Sequence, residues 1–116
     1  MKSVNVVVLS GNLTRDPELR QTSSGTNVCQ LGLAVNDSYK DSGGQWQEKP
    51  NFLDVVVWGA QGEACANALN KGSGITVAGR LTSRSWEAQD GTKRSKVEVT
   101  ADTVIFHQKG SSNVPF

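Results

Sequence analysis

Alternating apolar and polar residues predict five β-strands in this chain of 116 residues. The first, residues 6 to 9, is apolar at every position, so we expect both of its faces to be covered before Gly11 breaks the run. The next two strands are expected at 28–35 and 52–58, and the last two at 75–86 and 94–106. Asp90-Gly91 is a strong hairpin signal between those last two strands.

One parity of each strand supplies the predicted core. Its residues are Cys29, Leu31, Leu33, Val35, Leu53, Val55, Val57, Ile75, Val77, Gly79, Leu81, Val97, Val99, Ala101 and, near the end, Ile105. A helix is expected over 61–71, and Gly72 suits its C-terminal cap. Its apolar stripe consists of Ala64, Cys65, Ala68 and Leu69. A loop rich in Ser, Gly and Asp is expected from 36 to 51, and a disordered tail from 108 to 116.

Five of the seven aromatic residues lie on predicted loops and strand faces that have polar neighbours. They are Tyr39, Trp46, Phe52, Trp58 and Trp86. Phe52 and Trp58 share the non-core face of one strand, and Arg84 neighbours Trp86 on the outward face of another. Rings interleaved with cations on an exposed sheet suit a surface where bases stack and phosphates are neutralised. A second packed layer or a subunit interface would also account for the exposed rings.

The net charge of +1 excludes a general polycation, so any affinity for nucleic acid depends on where the charges lie. Residues 80–96 contain five basic residues against two acidic ones, a local surplus of three. The basic residues are Arg80, Arg84, Lys93, Arg94 and Lys96. A solvated hairpin of mixed charge explains this segment equally well.

The sequence contains no recognisable catalytic or metal-binding pattern. The single histidine, His107, has no cysteine or carboxylate at ligand spacing, so we expect no catalytic residue, no metal and no cofactor. Cys29 and Cys65 are isolated; reduced, buried thiols in a cytosolic protein are favoured, and a disulfide between them stays open. The N-terminal apolar stretch is too short for a signal peptide or a membrane span, so we expect no membrane association.

Five strands with one helix between the third and the fourth predict an all-β fold. The pattern fits the OB-fold, a five-stranded Greek-key barrel that binds oligonucleotides across one face. We place this domain at residues 1–107. Because the fold alone does not determine function, the outward-facing aromatic rings and arginines must support that step.

Six motifs, in order along the chain, resemble the bacterial single-stranded DNA-binding protein (SSB) family. They are GNLTRDPELR at 11–20, FLDVVVWG at 52–59, LNKGS at 69–73, GRLTSRSW at 79–86, DGTKR at 90–94 and VTAD at 99–102. The resemblance covers residues 4–107. It implies an OB-fold homotetramer that wraps single-stranded DNA without sequence preference, for replication, recombination and repair, with no catalysis and no cofactor.

The resemblance also assigns roles to individual residues. The positions where the family stacks bases are occupied by Tyr39, Phe52, Trp58 and Trp86. We expect phosphate contacts from the basic residues Arg20, Arg80, Arg84, Lys93, Arg94 and Lys96. Asp54 departs from the family pattern, would repel phosphate, and is assigned no binding role.

The chain ends in Pro115-Phe116. Members of the family end in a long linker and an acidic peptide whose final Pro-Phe docks on replication and repair proteins. Here the apolar tip occurs without those acids, so we expect it to bind such partners weakly.

Two rival functions stay open at this point. A primosomal or assembly OB module would use the same sheet to bind protein partners. A nuclease would need clustered carboxylates for metal ions. The candidate acids for it, which we interpret as solvated loop charge, are Asp37, Asp41 and Glu48.

Overall fold

The computed structural model describes residues 2–107, which form six strands and one helix. The elements in chain order are β1 (Val7–Leu13), β2 (Glu18–Gln21), β3 (Asn27–Lys40), β4 (Trp46–Trp58), α1 (Gly59–Ala68), β5 (Gly74–Glu87) and β6 (Lys93–Phe106). Pro115 and Phe116, with the rest of the predicted tail, lie outside the described residues.

Five of the strands close into a barrel in the order β1-β5-β6-β4-β3, because β1 pairs with both β5 and β3. The helix α1 lies between β4 and β5, which are the third and fourth barrel strands along the chain. This arrangement confirms the predicted OB-fold. The short strand β2, which the sequence pattern did not indicate, pairs with β3 outside the barrel.

Gly11 lies inside β1, so the predicted break there is wrong. At this point β1 leaves β5 and crosses to β3: Gly11 pairs with Ile75, and Leu13 pairs with Leu33. A Cβ atom at Gly11 would lie only 2.2 Å from the carbonyl oxygen of Ala34. The absence of a side chain therefore lets the strands approach closely enough to close the barrel.

The core fills the barrel and follows the predicted parity at its centre. The largest fully buried side chains are Leu31, Leu33, Ile75, Val55, Val57, Val77, Val99, Cys29 and Cys65. Both cysteines are free thiols, as favoured above. Burial, and secondarily the neighbouring Cys29, raises the pKa of Cys65 to about 11. Both thiols are therefore protonated and unreactive near neutral pH.

The helix begins and ends earlier than its pattern predicted, at Gly59 and Ala68. Cys65 and the following Leu69 are buried as expected, but Ala64 and Ala68 are exposed, so half of the predicted stripe is wrong. α1 packs on β3 and β4 through a narrow contact that includes the buried Gly62. A helix with so small a contact needs few apolar residues, which is why the stripe was difficult to identify.

A β-bulge changes the parity of β6 near its end. Gly79 pairs with Ala101 but the preceding Ala78 pairs with Thr103, so Asp102 is an extra residue in β6. Beyond this point Val104 packs on the core, whereas Ile105 is 57% exposed. The prediction that Ile105 points inward is therefore wrong.

Two long hairpins project beyond the closed part of the barrel. The pairing of β3 with β4 continues to Lys40 and Trp46, so most of the predicted 36–51 loop is strand. Only residues 41–45 form the turn, where Asp41 Oδ1 accepts hydrogen bonds from the N–H groups of Gly43 and Gln45, both at 2.9 Å. The β5–β6 hairpin turns at Gly91, with φ of 84°, as predicted.

The projection of the β5–β6 hairpin also explains two errors in the predicted core. Leu81 and Val97 have the inward parity, yet they are 46% and 63% exposed. They lie on the part of the hairpin that extends past the barrel, where residues 2–107 offer little to cover them.

Candidate nucleic-acid interface

Two aromatic side chains project from the outer face of β4. Phe52 is 71% exposed and Trp58 is 47% exposed, and alternation along the strand places Asp54 between them on the same face. The residues paired with these rings in β3 are Ala34 and Val28. Because both neighbours are short, the ring faces stay open to a flat ligand such as a base.

A third ring, that of Trp86, lies on the outer face of the β5–β6 hairpin. The Arg84 guanidinium lies 5.0 Å from the centroid of this ring, within cation–π distance. Nε of Arg84 also donates a hydrogen bond to Oε1 of the largely buried Glu98 at 3.1 Å. These two contacts orient the guanidinium, while half of the Arg84 side chain stays exposed.

Most of the residues predicted to contact phosphate lie on the same outer face as these rings. Arg94 pairs with Trp86 across the β5–β6 hairpin, and Lys96 pairs with Arg84. Arg80 has the same parity as Arg84 and lies nearer the closed barrel. Alternation therefore gathers four of the predicted cations on the side of the hairpin that carries Trp86.

The two other predicted cations differ in position. Arg20 in β2 pairs with Val28, which in turn pairs with Trp58, so Arg20 lies at the edge of the same face. Lys93 pairs with Glu87 and has the opposite parity from Trp86. Arg20 therefore lies at the edge of the face that carries the rings, and Lys93 lies on the reverse side of its hairpin.

Each of the five predicted phosphate-binding residues on the outer face forms an ion pair with a carboxylate. The pairs are Arg20–Glu18 at 2.6 Å, Arg80–Asp102 at 3.1 Å, Arg84–Glu98 at 3.1 Å, Arg94–Asp90 at 3.8 Å and Lys96–Asp54. Exposed pairs of this kind typically contribute less than about 1 kcal/mol to stability. The face is therefore compensated in charge, and a ligand phosphate would have to replace carboxylates.

Asp54 is the most heavily used of these acids. Its Oδ1 accepts from Nη2 of Arg15 at 3.3 Å, and its Oδ2 contacts Nζ of Lys96. The hydrogen bond from Lys96, together with the weaker contribution of Arg15, lowers the pKa of Asp54 against an opposing effect of burial. Asp54 is therefore ionised at neutral pH, and its negative charge offsets part of the positive charge of Arg15 and Lys96.

Arg15 also lies on the outer face, although the sequence analysis did not select it. It lies after β1, far along the chain from Asp54, and its side chain passes over Gly32 of β3. A Cβ atom at Gly32 would lie 2.3 Å from Nη1 of Arg15 and 2.4 Å from Oγ1 of Thr14. The glycine at this position, which pairs directly with Asp54, was the only sequence signal of this crossing.

Trp46 also belongs to the outer face, because the 36–51 segment is a hairpin. It is 71% exposed and pairs with Lys40, which has the same parity as Ala34 and Phe52. Tyr39 is 50% exposed but has the opposite parity. Alternation therefore places Tyr39 on the other side of the ribbon, away from the other predicted stacking residues.

A separate part of the outer surface is apolar. Val6 and Val8, from the N-terminal run, are 73% and 64% exposed. Ile105 extends this patch, because it pairs with Thr76, which pairs with Ser10 of β1. Nothing within residues 2–107 covers these side chains.

Other kinds of site were not found in this part of the chain. Within residues 2–107, no three His, Cys, Asp or Glu side chains are grouped so that they could bind a metal ion. No helix among these residues has the length and apolarity needed to cross a membrane.

An OB-fold barrel with open aromatic rings and cations on one face is typical of oligonucleotide-binding domains. Comparison with known proteins identifies the family: residues 4–107 match the Single-strand binding protein family. The chain belongs to this family.

Individual relatives give the same picture. The chain is 44% identical over 114 residues to Single-stranded DNA-binding protein 2 of Chlorobaculum tepidum. The aligned region covers 97% of this chain and 77% of the relative. It is 48% identical to the Single-stranded DNA-binding protein of Treponema pallidum, over 90% of this chain and 58% of the relative.

A solved structure agrees as well. The crystal structure of a deletion mutant of the single-stranded DNA binding protein from Thermus aquaticus superposes with a TM-score of 0.81 at 38% identity. The match covers 93% of this chain and 52% of the Thermus chain. The chain thus spans little more than half of that protein.

Proposed function

We propose that the protein binds single-stranded DNA without sequence preference and has no catalytic activity. The observation that carries this proposal is the row of open rings on one face of the OB-fold, namely Phe52, Trp58 and Trp86, with cations beside them. Bases stack on the rings, and phosphates replace the carboxylates that pair with Arg84 and Lys96 in the free protein.

Stacking explains the absence of sequence preference, because every base has a π-face. A base stacked on an aromatic side chain contributes about 1–3 kcal/mol. Three such contacts supply several kcal/mol before any phosphate contact forms. The phosphate contacts then place the backbone between the rings and make binding dependent on salt.

Titration with oligo-dT tests the proposal through the tryptophan fluorescence. We expect quenching on binding, because Trp58 and Trp86 stack on bases, and a linear decrease of log affinity with log salt. Trp58→Ala and Trp86→Ala should each weaken binding by about 1–3 kcal/mol while circular dichroism stays unchanged. Loss of the fold in both variants would instead make these two residues part of the core.

The salt dependence also distinguishes DNA binding from the main alternative. In that alternative the protein is an OB module that binds a protein partner with the same face. A face that binds protein through its rings would show weak salt dependence and no quenching by oligo-dT. The charge-compensated cations around Trp86 favour DNA over an apolar partner, because their hydrogen-bonding groups match phosphate.

We propose further that the protein is a homotetramer. The exposed apolar patch of Val6, Val8 and Ile105 supports association, since solvent-exposed side chains of this kind are covered at subunit interfaces. Light scattering at micromolar concentration should report four times the 12.4 kDa of one chain. Val8→Lys should lower the measured mass, because it places a charge in the patch; a monomeric wild-type protein would contradict the proposal.

We also propose that the C-terminal tip, Pro115 and Phe116, binds replication or repair proteins weakly. The aromatic ring of Phe116 suits an apolar pocket on such a partner. Deleting residues 114–116 should abolish partner binding and leave the affinity for oligo-dT unchanged. A truncated chain that recruits a partner as well as the full chain would assign recruitment to the OB-fold.

A further inference from the structure

Asp54 occupies the place that the backbone of a strand stacked along β4 would approach. The carboxylate lies between Phe52 and Trp58 on one face, and each of its oxygens contacts a different cation. A phosphate group also offers two oxygens to neighbouring cations. The contacts made by Asp54 are therefore those that a DNA phosphate would make with Arg15 and Lys96.

A cleft in front of this carboxylate has room for such a group. It has a volume of about 290 Å³ and is lined by Arg15, Lys96, Asp54, Gln30 and Glu98 among others. Asp54 and Lys96 are only partly exposed, with side-chain exposures of 29% and 39%. Charges in such a cleft are screened less than charges on an open surface, so exchange of one anion for another has a measurable effect there.

We propose that Arg15 is a phosphate-binding residue of this interface and that Asp54 competes with nucleic-acid phosphate for Arg15 and Lys96. The inference rests on the proposed binding of single-stranded DNA. In the free protein the carboxylate neutralises both cations. When DNA binds, a phosphate replaces the carboxylate, and the displaced charge of Asp54 stays nearby and opposes the phosphate. Asp54 therefore lowers the affinity that the rings and cations would otherwise give.

Asp54→Asn tests this competition because it removes the charge and keeps the shape of the side chain. In oligo-dT titrations of the full chain at several NaCl concentrations, we expect roughly three- to tenfold tighter binding at low salt, the range of one or two exposed ion pairs. The salt slope should steepen by somewhat less than one unit, as for one further phosphate contact on a single strand.

Glu63→Gln is the matched control for net charge. Glu63 is exposed on α1, where it accepts a hydrogen bond from Asn27 at 3.2 Å, and within residues 2–107 it forms no ion pair. The substitution Glu63→Gln also removes one negative charge, so we expect a smaller gain in DNA affinity than in Asp54→Asn, with the salt slope of the wild type. Thermal unfolding verifies that both variants fold. If Asp54→Asn does not fold, Asp54→Ser replaces it as a second variant with a neutral side chain.

A double-mutant cycle with Arg15→Gln separates competition from a general charge effect. Arg15→Gln should weaken DNA binding more in the Asp54→Asn background than in the wild type, because only there is Arg15 free of its carboxylate. Equal effects of Arg15→Gln in both backgrounds, or an Asp54→Asn variant that binds no more tightly than Glu63→Gln, would overturn the inference. A wild-type protein that does not bind oligo-dT would instead overturn the proposed function.

Discussion

Gly32 pairs directly with Asp54 across β3 and β4, and the Arg15 guanidinium lies in the space that a side chain at Gly32 would occupy. Three residues from separate parts of the chain thus meet at one point of the outer face. The absence of a side chain at Gly32 leaves room for the guanidinium of Arg15, and the carboxylate of Asp54 holds that guanidinium in place through an ion pair.

Gly32→Ala should therefore weaken DNA binding by displacing Arg15. The new Cβ would lie 2.3 Å from Nη1 of Arg15 and 2.4 Å from Oγ1 of Thr14, so the guanidinium and the hydroxyl both have to shift from their present positions. We expect a loss of about 1 kcal/mol, the value of one hydrogen bond, and the same loss in Arg15→Gln. Oligo-dT titration of Gly32→Ala, with Gly43→Ala in the hairpin turn as a control that keeps its affinity, measures this. Unchanged affinity in Gly32→Ala would show that Arg15 does not need the space.

Arg84→Ala should lower affinity for all base sequences alike and flatten the salt slope by somewhat less than one unit, as for one lost contact to single-stranded phosphate. Lys49→Ala is the control, since Lys49 lies opposite Asp37 in the strand register, on the reverse side of the β3–β4 ribbon. Titration of oligo-dT and oligo-dC at several salt concentrations measures both quantities. If the two variants have the same slope, Arg84 does not contact the phosphates.

Trp46→Ala should weaken DNA binding more than Tyr39→Ala. Trp46 shares the face of Phe52, so its loss should cost about 1–3 kcal/mol, whereas Tyr39 has the opposite parity and should cost less. Affinity for an oligo-dT long enough to reach the hairpin gives the comparison. A larger loss in Tyr39→Ala would mean that the strand passes over the reverse side of the ribbon.

Asp54 should stabilise the fold only above acid pH. Its pKa in the folded protein is lowered below 3.8 by Lys96 and Arg15, so its contribution is present above pH 3.8 and is lost as the pH falls through the lowered pKa. The free energy of unfolding in urea, compared between wild type and Asp54→Asn at pH 7, 5 and 3, measures this. We expect the difference to change by about 1 kcal/mol at most, and only below pH 4. A difference that does not vary with pH would show that its two ion pairs do not stabilise the fold.

The core of the barrel and the rings on β4 and β5 followed from alternation alone. Leu31, Val55 and Val77 are buried as predicted, and Phe52 and Trp86 face outward. These positions lie where strands are regular, so a period of two residues is sufficient to assign their faces.

The errors lie where the structure departs from that regularity or depends on distant residues. Trp46 was assigned to a loop because Ser, Gly and Asp surround it, although a two-stranded ribbon tolerates such residues when both of its faces are in solvent. Arg15 was missed because its role depends on Gly32 and Asp54, which are brought near it only by folding.

The extra residue in β6 has a consequence for the whole outside of the barrel. Before Asp102, the even positions Glu98 and Thr100 lie on the face that carries Arg84 and Trp86; after it, the odd position Ile105 faces outward. The bulge takes up one residue of the chain, so Val104 packs on the core and Ile105 faces outward although counting in steps of two along the sequence predicts the reverse. If Asp102 were deleted, Thr103 would follow Ala101 directly, and Val104 and Ile105 would keep their partners Val77 and Thr76 and their present faces. If the residue stayed but the bulge were lost, the end of β6 would slip by one position, which would turn Ile105 inward and Val104 outward and remove Ile105 from the exposed apolar patch.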